Sequence, residues 1–117
     1  MAGPIKVYIG APLNGSGMVA NNLRTVSTVA SILRRKGYLP FIPHLYFFWD
    51  LILPMPEEYW LELDREWLLD CHVFLRLEGV SPGCDKETIW ANDADIPIVL
   101  SIEELDKYRE SVLTCQA

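Results

Sequence analysis

Asp64 and Glu87 stand in settings where a carboxylate is chemically unusual. In PEEYWLELDREWLLDC, residues Trp60, Leu61, Asp64, Trp67, Leu68 and Cys71 recur at three- and four-residue steps, so they share one side of a helix. A lone carboxylate in such an apolar stripe is costly to bury. Asp64 therefore caps a loop, pairs with a cation such as Arg24 or Arg76, or is kept there for chemistry. Glu87 repeats the pattern, with Trp90, Ala91 and Ala94 following it along one helix face. Its expected place is the first helical turn, where unpaired N–H groups and the helix dipole favour negative charge. An ordinary first-turn glutamate would look the same in isolation. As a pair opening on one crevice, the two suggest a nucleophile and an acid/base acting at an anomeric carbon through an oxocarbenium-like transition state. The helix start would keep the nucleophile ionised, and desolvation would help its partner hold a proton.

The elements that must position them follow from punctuation and period. IKVYIG, from Ile5, reads as a buried strand stopped by Gly10 and Pro12. Val19, Leu23, Val26, Ala30 and Leu33 predict an amphipathic helix to about Lys36, ended by Gly37. LPFIP is a second short strand, and HLYFFWDLILPMP reads as a long apolar connection. Pro56 opens a helix running to about Cys71. VFLRL is the third strand, SPGCDKETIWANDA a turn and short helix, and IPIVL the fourth strand. Ser101 and Glu104 have the capping-box spacing for a last helix. Strands alternating with helices, and apolar on consecutive positions, predict one three-layer α/β domain over residues 1–117 with a parallel sheet. Ligands in such sheets bind at the carboxyl ends of the strands, which places GAPLNGSG, PHLYFFW and EGVSPGCD around the crevice.

Composition narrows the function classes. The chain has 117 residues, half of them hydrophobic, and a net charge of −6. With no basic cluster beyond Arg34-Arg35-Lys36, a nucleic-acid partner is not expected. No apolar run approaches the ~20 residues of a membrane span, and the N-terminus has neither a signal-peptide nor a myristoylation pattern. A soluble cytoplasmic protein without a membrane partner is the expectation. Cys71, Cys84 and Cys115 form no CxxC, which fits a reducing compartment. His44 and His72 have no ligand-spaced neighbours, so neither a metal nor a cofactor is expected.

VYIGAP near the N-terminus, the Asp of LDREWLLDC and the S-x-G-x-x-x-E of SPGCDKE together resemble the nucleoside 2-deoxyribosyltransferase superfamily, which includes 2'-deoxynucleoside 5'-monophosphate N-hydrolases. The resemblance runs from Lys6 to about Leu105. It implies a flavodoxin-like (Rossmann-like) sheet of four or five parallel strands and a homo-oligomer, dimer or higher, whose subunits complete each other's sites. By position, Glu87 matches the glutamate that attacks C1' to form a covalent glycosyl-enzyme. Asp64 matches the aspartate that handles the proton of the leaving base or positions the reactants, and Tyr8 the tyrosine that orients the nucleophile. The expected partner is thus a small nucleoside or nucleotide. A nucleotide-binding module without catalysis is the alternative on the same scaffold.

Two positions depart from the common pattern. Ser81, six residues before Glu87, stands where enzymes gripping a free sugar carry aspartate. With the Gly83 turn it could hold a 5'-phosphate that an aspartate would repel. His72 follows Cys71 where similar sequences often carry Asp, and a packing role is expected for it. Around this core, the loop containing Gly10 and Pro12 would wrap sugar and base. Asn22 and Arg24 could reach an anionic group, although Arg24 equally suits a solvated helix face. The cluster from His44 to Trp49 could stack a nucleobase, or serve as core or subunit interface.

Overall fold

The computed structural model describes residues 3–13, 19–79 and 81–116, and of residues 115 and 116 the backbone alone. Its order is β1 Lys6–Gly10, α1 Val19–Arg35, β2 Leu39–Phe41, a 3-10 turn Pro43–Leu45, α2 Tyr46–Ile52, α3 Glu57–Leu69, β3 Val73–Arg76, α4 Pro82–Asp93, β4 Ile98–Val99 and α5 Ile102–Gln116. The four strands form one sheet in the order β2-β1-β3-β4, parallel at every pairing. This is the three-layer α/β architecture that the alternating pattern predicts, with the flavodoxin-like parallel sheet that the resemblance implies.

Side-chain alternation divides the core between the two faces of the sheet. Val7, Ile9, Val73, Leu75 and Val99 point to one face, where Val26, Ala30 and Leu33 of α1 and Leu105 of α5 cover them. Tyr8 and Phe74 point to the other, against Leu68 of α3, Cys71 and Ala91 of α4. Burial on both faces is why these strands read as continuous apolar runs. Each fully buried Leu or Val contributes roughly 1.5–3 kcal/mol.

Helix ends carry their expected signals. Gly37, at φ +94, closes α1 with Tyr38 N–H donating to Leu33 O at 3.0 Å and Gly37 N–H to Arg34 O at 3.1 Å, the paired bonds of a Schellman stop. Ser101 caps α5 through Glu104 N–H at 3.1 Å. Two elements differ from expectation. The apolar connection is helical over Tyr46–Ile52, and this α2 buries none of its residues. And α4 starts at Pro82, with Ser81 as its N-cap accepting from Cys84 N–H at 3.2 Å. Glu87 consequently lies in the second turn rather than the first, and Asp85 is the first-turn acid. Among the described residues no helix is long and apolar enough to cross a membrane.

Candidate active site

The chain leaves β1 for α1 on one side of the sheet, and β3 for α4 on the other. The crevice between their carboxyl ends is the place where such sheets bind ligands. There lies a cleft of about 420 Å³ whose walls include Ala11, Pro12, Pro43, His44, Glu57, Leu61, Asp64, Ser81, Gly83, Cys84 and Glu87. Pro12 comes from the loop after β1, His44 from the turn after β2, Asp64 from α3, and Ser81 and Glu87 from α4.

Tyr8 is fully buried below this cleft, its ring stacked at 5.6 Å on Phe41 of β2 and edge-on at 5.7 Å to Phe74 of β3. Those are its register partners in the neighbouring strands, so the sheet itself fixes the ring. From there the phenol O–H donates to Glu87 Oε2. The Cys84 thiol, three residues earlier on α4, also hydrogen-bonds the Glu87 carboxyl. Arg76 at the end of β3 donates to Leu77 O and, at 2.6 Å, to Gly79 O. It thereby ties down the loop leading to α4, and its charge acts on Glu87.

Burial dominates the electrostatics of the pair. Glu87 is pushed up to about 7 by desolvation, against the lowering effects of Tyr8, Cys84 and Arg76. Asp64 is pushed up to about 8, by desolvation first and then by the charge of Glu87. The expectation that a helix start keeps Glu87 strongly acidic is therefore corrected: a second-turn position, buried, outweighs the dipole, which fades beyond the first turn. The groups that favour ionisation, Tyr8, Cys84 and Arg76, act on Glu87, whereas Asp64 feels the charge of Glu87. Asp64 Oδ1 is buried without a hydrogen-bonding partner. Among the described residues no ion pair joins Asp64 to Arg24 or Arg76.

The other sequence-selected residues divide. Ser81, Gly83, Pro12 and His44 line the cleft. His44 is buried, its Nε2–H donating to Ala11 O at 2.7 Å, and burial lowers its basicity so that the ring is neutral. Gly10 lies behind the wall: a Cβ there would meet the Phe74 ring at 2.2 Å. Asn22 pins the loop after β1 by donating to Leu13 O at 2.7 Å and lines a neighbouring cleft beyond Pro12. Arg24 is exposed on α1. Trp49 packs on Tyr46, Tyr59 and Trp60 and is not part of the cleft wall. His72 accepts from Lys6 N–H at 2.9 Å through Nδ1, a structural bond between β1 and the start of β3. Residues 14–17 of the GAPLNGSG loop, and the Cys115 side chain, lie outside the described residues.

Sequence reasoning passed over Glu57, nearly two turns before Asp64 on the same helical side, and placed Leu61, one turn before it, only in the apolar stripe; their shared side was the available signal. It also passed over the hydrogen bond from Cys84, which the three-residue step to Glu87 would have revealed. Among the described residues no three His, Cys, Asp or Glu side chains gather as a metal site.

Residues 5–101 match the family model described as "Domain of unknown function (DUF7768)". No curated protein sequence matches the chain. Among solved structures, the CMP N-glycosidase BcmB of Clostridium botulinum is similar with a TM-score of 0.58 and 21% identity, over 80% of this chain and 67% of that one. A 2-deoxyribosyltransferase from Bacillus psychrosaccharolyticus is similar with a TM-score of 0.53 and 16% identity, over 84% of this chain and 78% of that one. The chain shares the fold of these enzymes.

Proposed function

The chain belongs to the DUF7768 family, and we propose that this member cleaves or transfers at the N-glycosidic bond of a (2'-deoxy)nucleoside or its 5'-monophosphate. The observation that carries the reading is the pair itself: Glu87, held by the Tyr8 hydroxyl, and Asp64 face one cleft with their proton affinities raised. In the reacting state of this reading the pair holds one proton between them, on Asp64. Glu87 as carboxylate attacks C1', forming a C–O bond as the C1'–N bond breaks. The electron pair passes to the base nitrogen, which takes the proton of Asp64, and a glycosyl-Glu87 ester remains. Water attacking the ester completes a hydrolysis; a second base attacking it completes a transfer. Two similar structures, an N-glycosidase and a 2-deoxyribosyltransferase by their names, support this class of bond.

Ser81 favours a 5'-phosphate. Its Oγ accepts from Cys84 N–H, and its hydroxyl hydrogen, which also faces the Cys84 sulfur, could turn to a phosphate oxygen. With the Gly83 N–H and the α4 dipole it forms an anion site at the cleft wall. Among the described residues lining the cleft none is Lys or Arg, so these weaker donors would carry phosphate recognition. The oligomer implied by resemblance would use α2, where Phe48, Leu51, Ile52 and Leu53 are more than half exposed beside the turn that holds His44. A second copy of the chain is the proposed cover.

The test is a panel of nucleosides and 5'-monophosphates, with and without a free second base, followed by chromatography of the bases. Release without exchange identifies a hydrolase, and exchange a transferase. Glu87→Ala should reduce either by at least about a thousandfold. Full activity in that variant would overturn the covalent mechanism.

A further inference from the structure

Tyr46 opens α2, and three aromatic rings fix its own. It stacks on Trp60 at 5.6 Å and meets Phe41 and Trp49 edge-on at 6.1 and 5.9 Å. Trp60 is itself held, its Nε1–H donating at 2.8 Å to Asp50 Oδ1, which also accepts from Met55 N–H at 3.0 Å. Trp60 and Asp64 lie one turn apart on α3, so a ring stacked on Trp60 sits on the side of the helix that carries Asp64.

Tyr46 Oη is buried and has no hydrogen-bonding partner, and the same holds for Asp64 Oδ1. Buried polar groups in folded proteins are paired with few exceptions; His44 Nδ1 is a third such atom among the described residues, but Asp64 is the charge that acts on Tyr46, so these two call for a shared partner. One is a donor and the other an acceptor. The two groups also sense each other: the Tyr46 phenol is pushed up to about 12, by burial first and then by the charge of Asp64. A single water accepting from Tyr46 and donating to Asp64 is the smallest group that satisfies both.

We propose that Tyr46 is a positioning residue for Asp64, holding Oδ1 through one bridging water so that Oδ2 carries the acidic proton toward the leaving base. The catalytic half of this statement rests on the function proposed above; the Tyr46–Asp64 link does not. The bridge fixes the carboxyl plane and leaves the proton on the oxygen without a protein donor. It also favours the ionised form, because the water donates to a carboxylate more strongly than to a neutral carboxyl. Around Asp64 the other titratable groups are Glu87 from α4 and Tyr8 from β1, with His44 and Glu57 lining the same cleft and Arg76 acting on Glu87.

The test is an NMR titration of the full chain labelled at the aspartate side-chain carboxyl carbon, comparing wild type with Tyr46→Phe. The Asp64 midpoint should rise by about half a pH unit when the hydroxyl is removed. In turnover assays the same variant should lose about tenfold in kcat with KM unchanged, and its alkaline limb should move upward with the midpoint. An unmoved Asp64 midpoint in a folded Tyr46→Phe protein overturns the proposal. If that variant does not fold, Asp64→Asn supplies the reciprocal reading. Tyrosinate absorbance should then show one phenol titrating lower than in wild type, and an unchanged curve overturns the link. A wild type that releases no base from any substrate would sink the glycosidic reading, while the NMR midpoint would still decide the link.

Discussion

Burying two carboxyls makes a specific demand on stability as pH changes. Glu87 is only 6% exposed, so solvent does little to screen its interactions. Raising its carboxyl from the ordinary 4.5 to about 7 corresponds to about 3 kcal/mol. The sign follows from proton counts. Between pH 4.5 and 7 the native state keeps a proton that the unfolded chain has released, so stability must fall as pH rises through that window. Asp64 acts in the same direction, from 3.8 to about 8. Part of its rise is the charge of Glu87, so the two contributions overlap. His44, buried and neutral, acts oppositely, because its unfolded ring binds a proton below 6.5 that the native ring refuses. Cys71 and Cys84, both raised to about 11, enter only above the ordinary thiol range. The clean measurement is therefore a difference: urea unfolding of wild type and of Asp64→Asn/Glu87→Gln from pH 5 to 8.5, in which His44 and the thiols cancel. Wild type should lose at least about 3 kcal/mol relative to the double variant across that range, a large share of a marginal total. Tyr8→Phe should steepen the fall, since it removes a donor that favours the ionised form. A wild-type-minus-variant difference that stays within about 1 kcal/mol over the whole range would refute the buried pair.

Three further outcomes are expected. Ser81→Asp preserves the N-cap, since Asp caps as well as Ser, yet places a carboxylate at the proposed anion site; turnover of 5'-monophosphates should fall at least about tenfold more than that of nucleosides, measured as kcat/KM for each. Gly10→Ala puts a methyl carbon 2.2 Å from the Phe74 ring and should cost about 1–3 kcal/mol in chemical denaturation. Replacing Ile52, 76% exposed on α2, by glutamate should convert the proposed oligomer to monomer in light scattering; an unchanged mass would remove α2 from the interface.

How much was legible depended on whether the deciding force was local. β1, α1 and β3 were readable because their apolar spacing contrasts with flanking Gly and Pro, and Gly37 announced the end of α1. α2 was not. A helix that buries none of its residues shows no three-to-four contrast, and YFFWDLI has Asp50 as its one charged residue. What fixes it is tertiary: the ring stack on Trp60 and the two bonds to Asp50. The start of α4 was misplaced because Pro82-Gly83 looks like a turn, although Ser at the N-cap followed by Pro at the first helical position is equally a helix start. For the site, Tyr8, Asp64 and Glu87 were chosen from separate stretches, and the sheet register and the packing of α3 on α4 bring them together. Spacing along α1 says nothing about direction beyond its own axis, which is why Asn22 and Arg24 were chosen yet do not line the cleft.

The raised proton affinity of Asp64 was legible from its place in an apolar stripe, whereas that of Glu87 was not, because it depends on how much water the assembled fold removes. They nevertheless bear on which of the two carboxyls takes which role in the proposed reaction. Both are raised chiefly by desolvation, so burial does not distinguish them. What differs is the set of neighbours. Glu87 receives the Tyr8 hydroxyl and the Cys84 thiol and lies in the field of Arg76, all of which favour its anion. Asp64 has no such donor and feels the charge of Glu87 instead. Reversing the roles would ask Glu87 to hold the proton while three groups stabilise its charge, and Asp64 to ionise without a direct protein donor beside the charge of Glu87. Each step of that exchange is uphill. In the proposed reaction these neighbours therefore favour Glu87 as the attacking group and Asp64 as the proton donor, whatever the base.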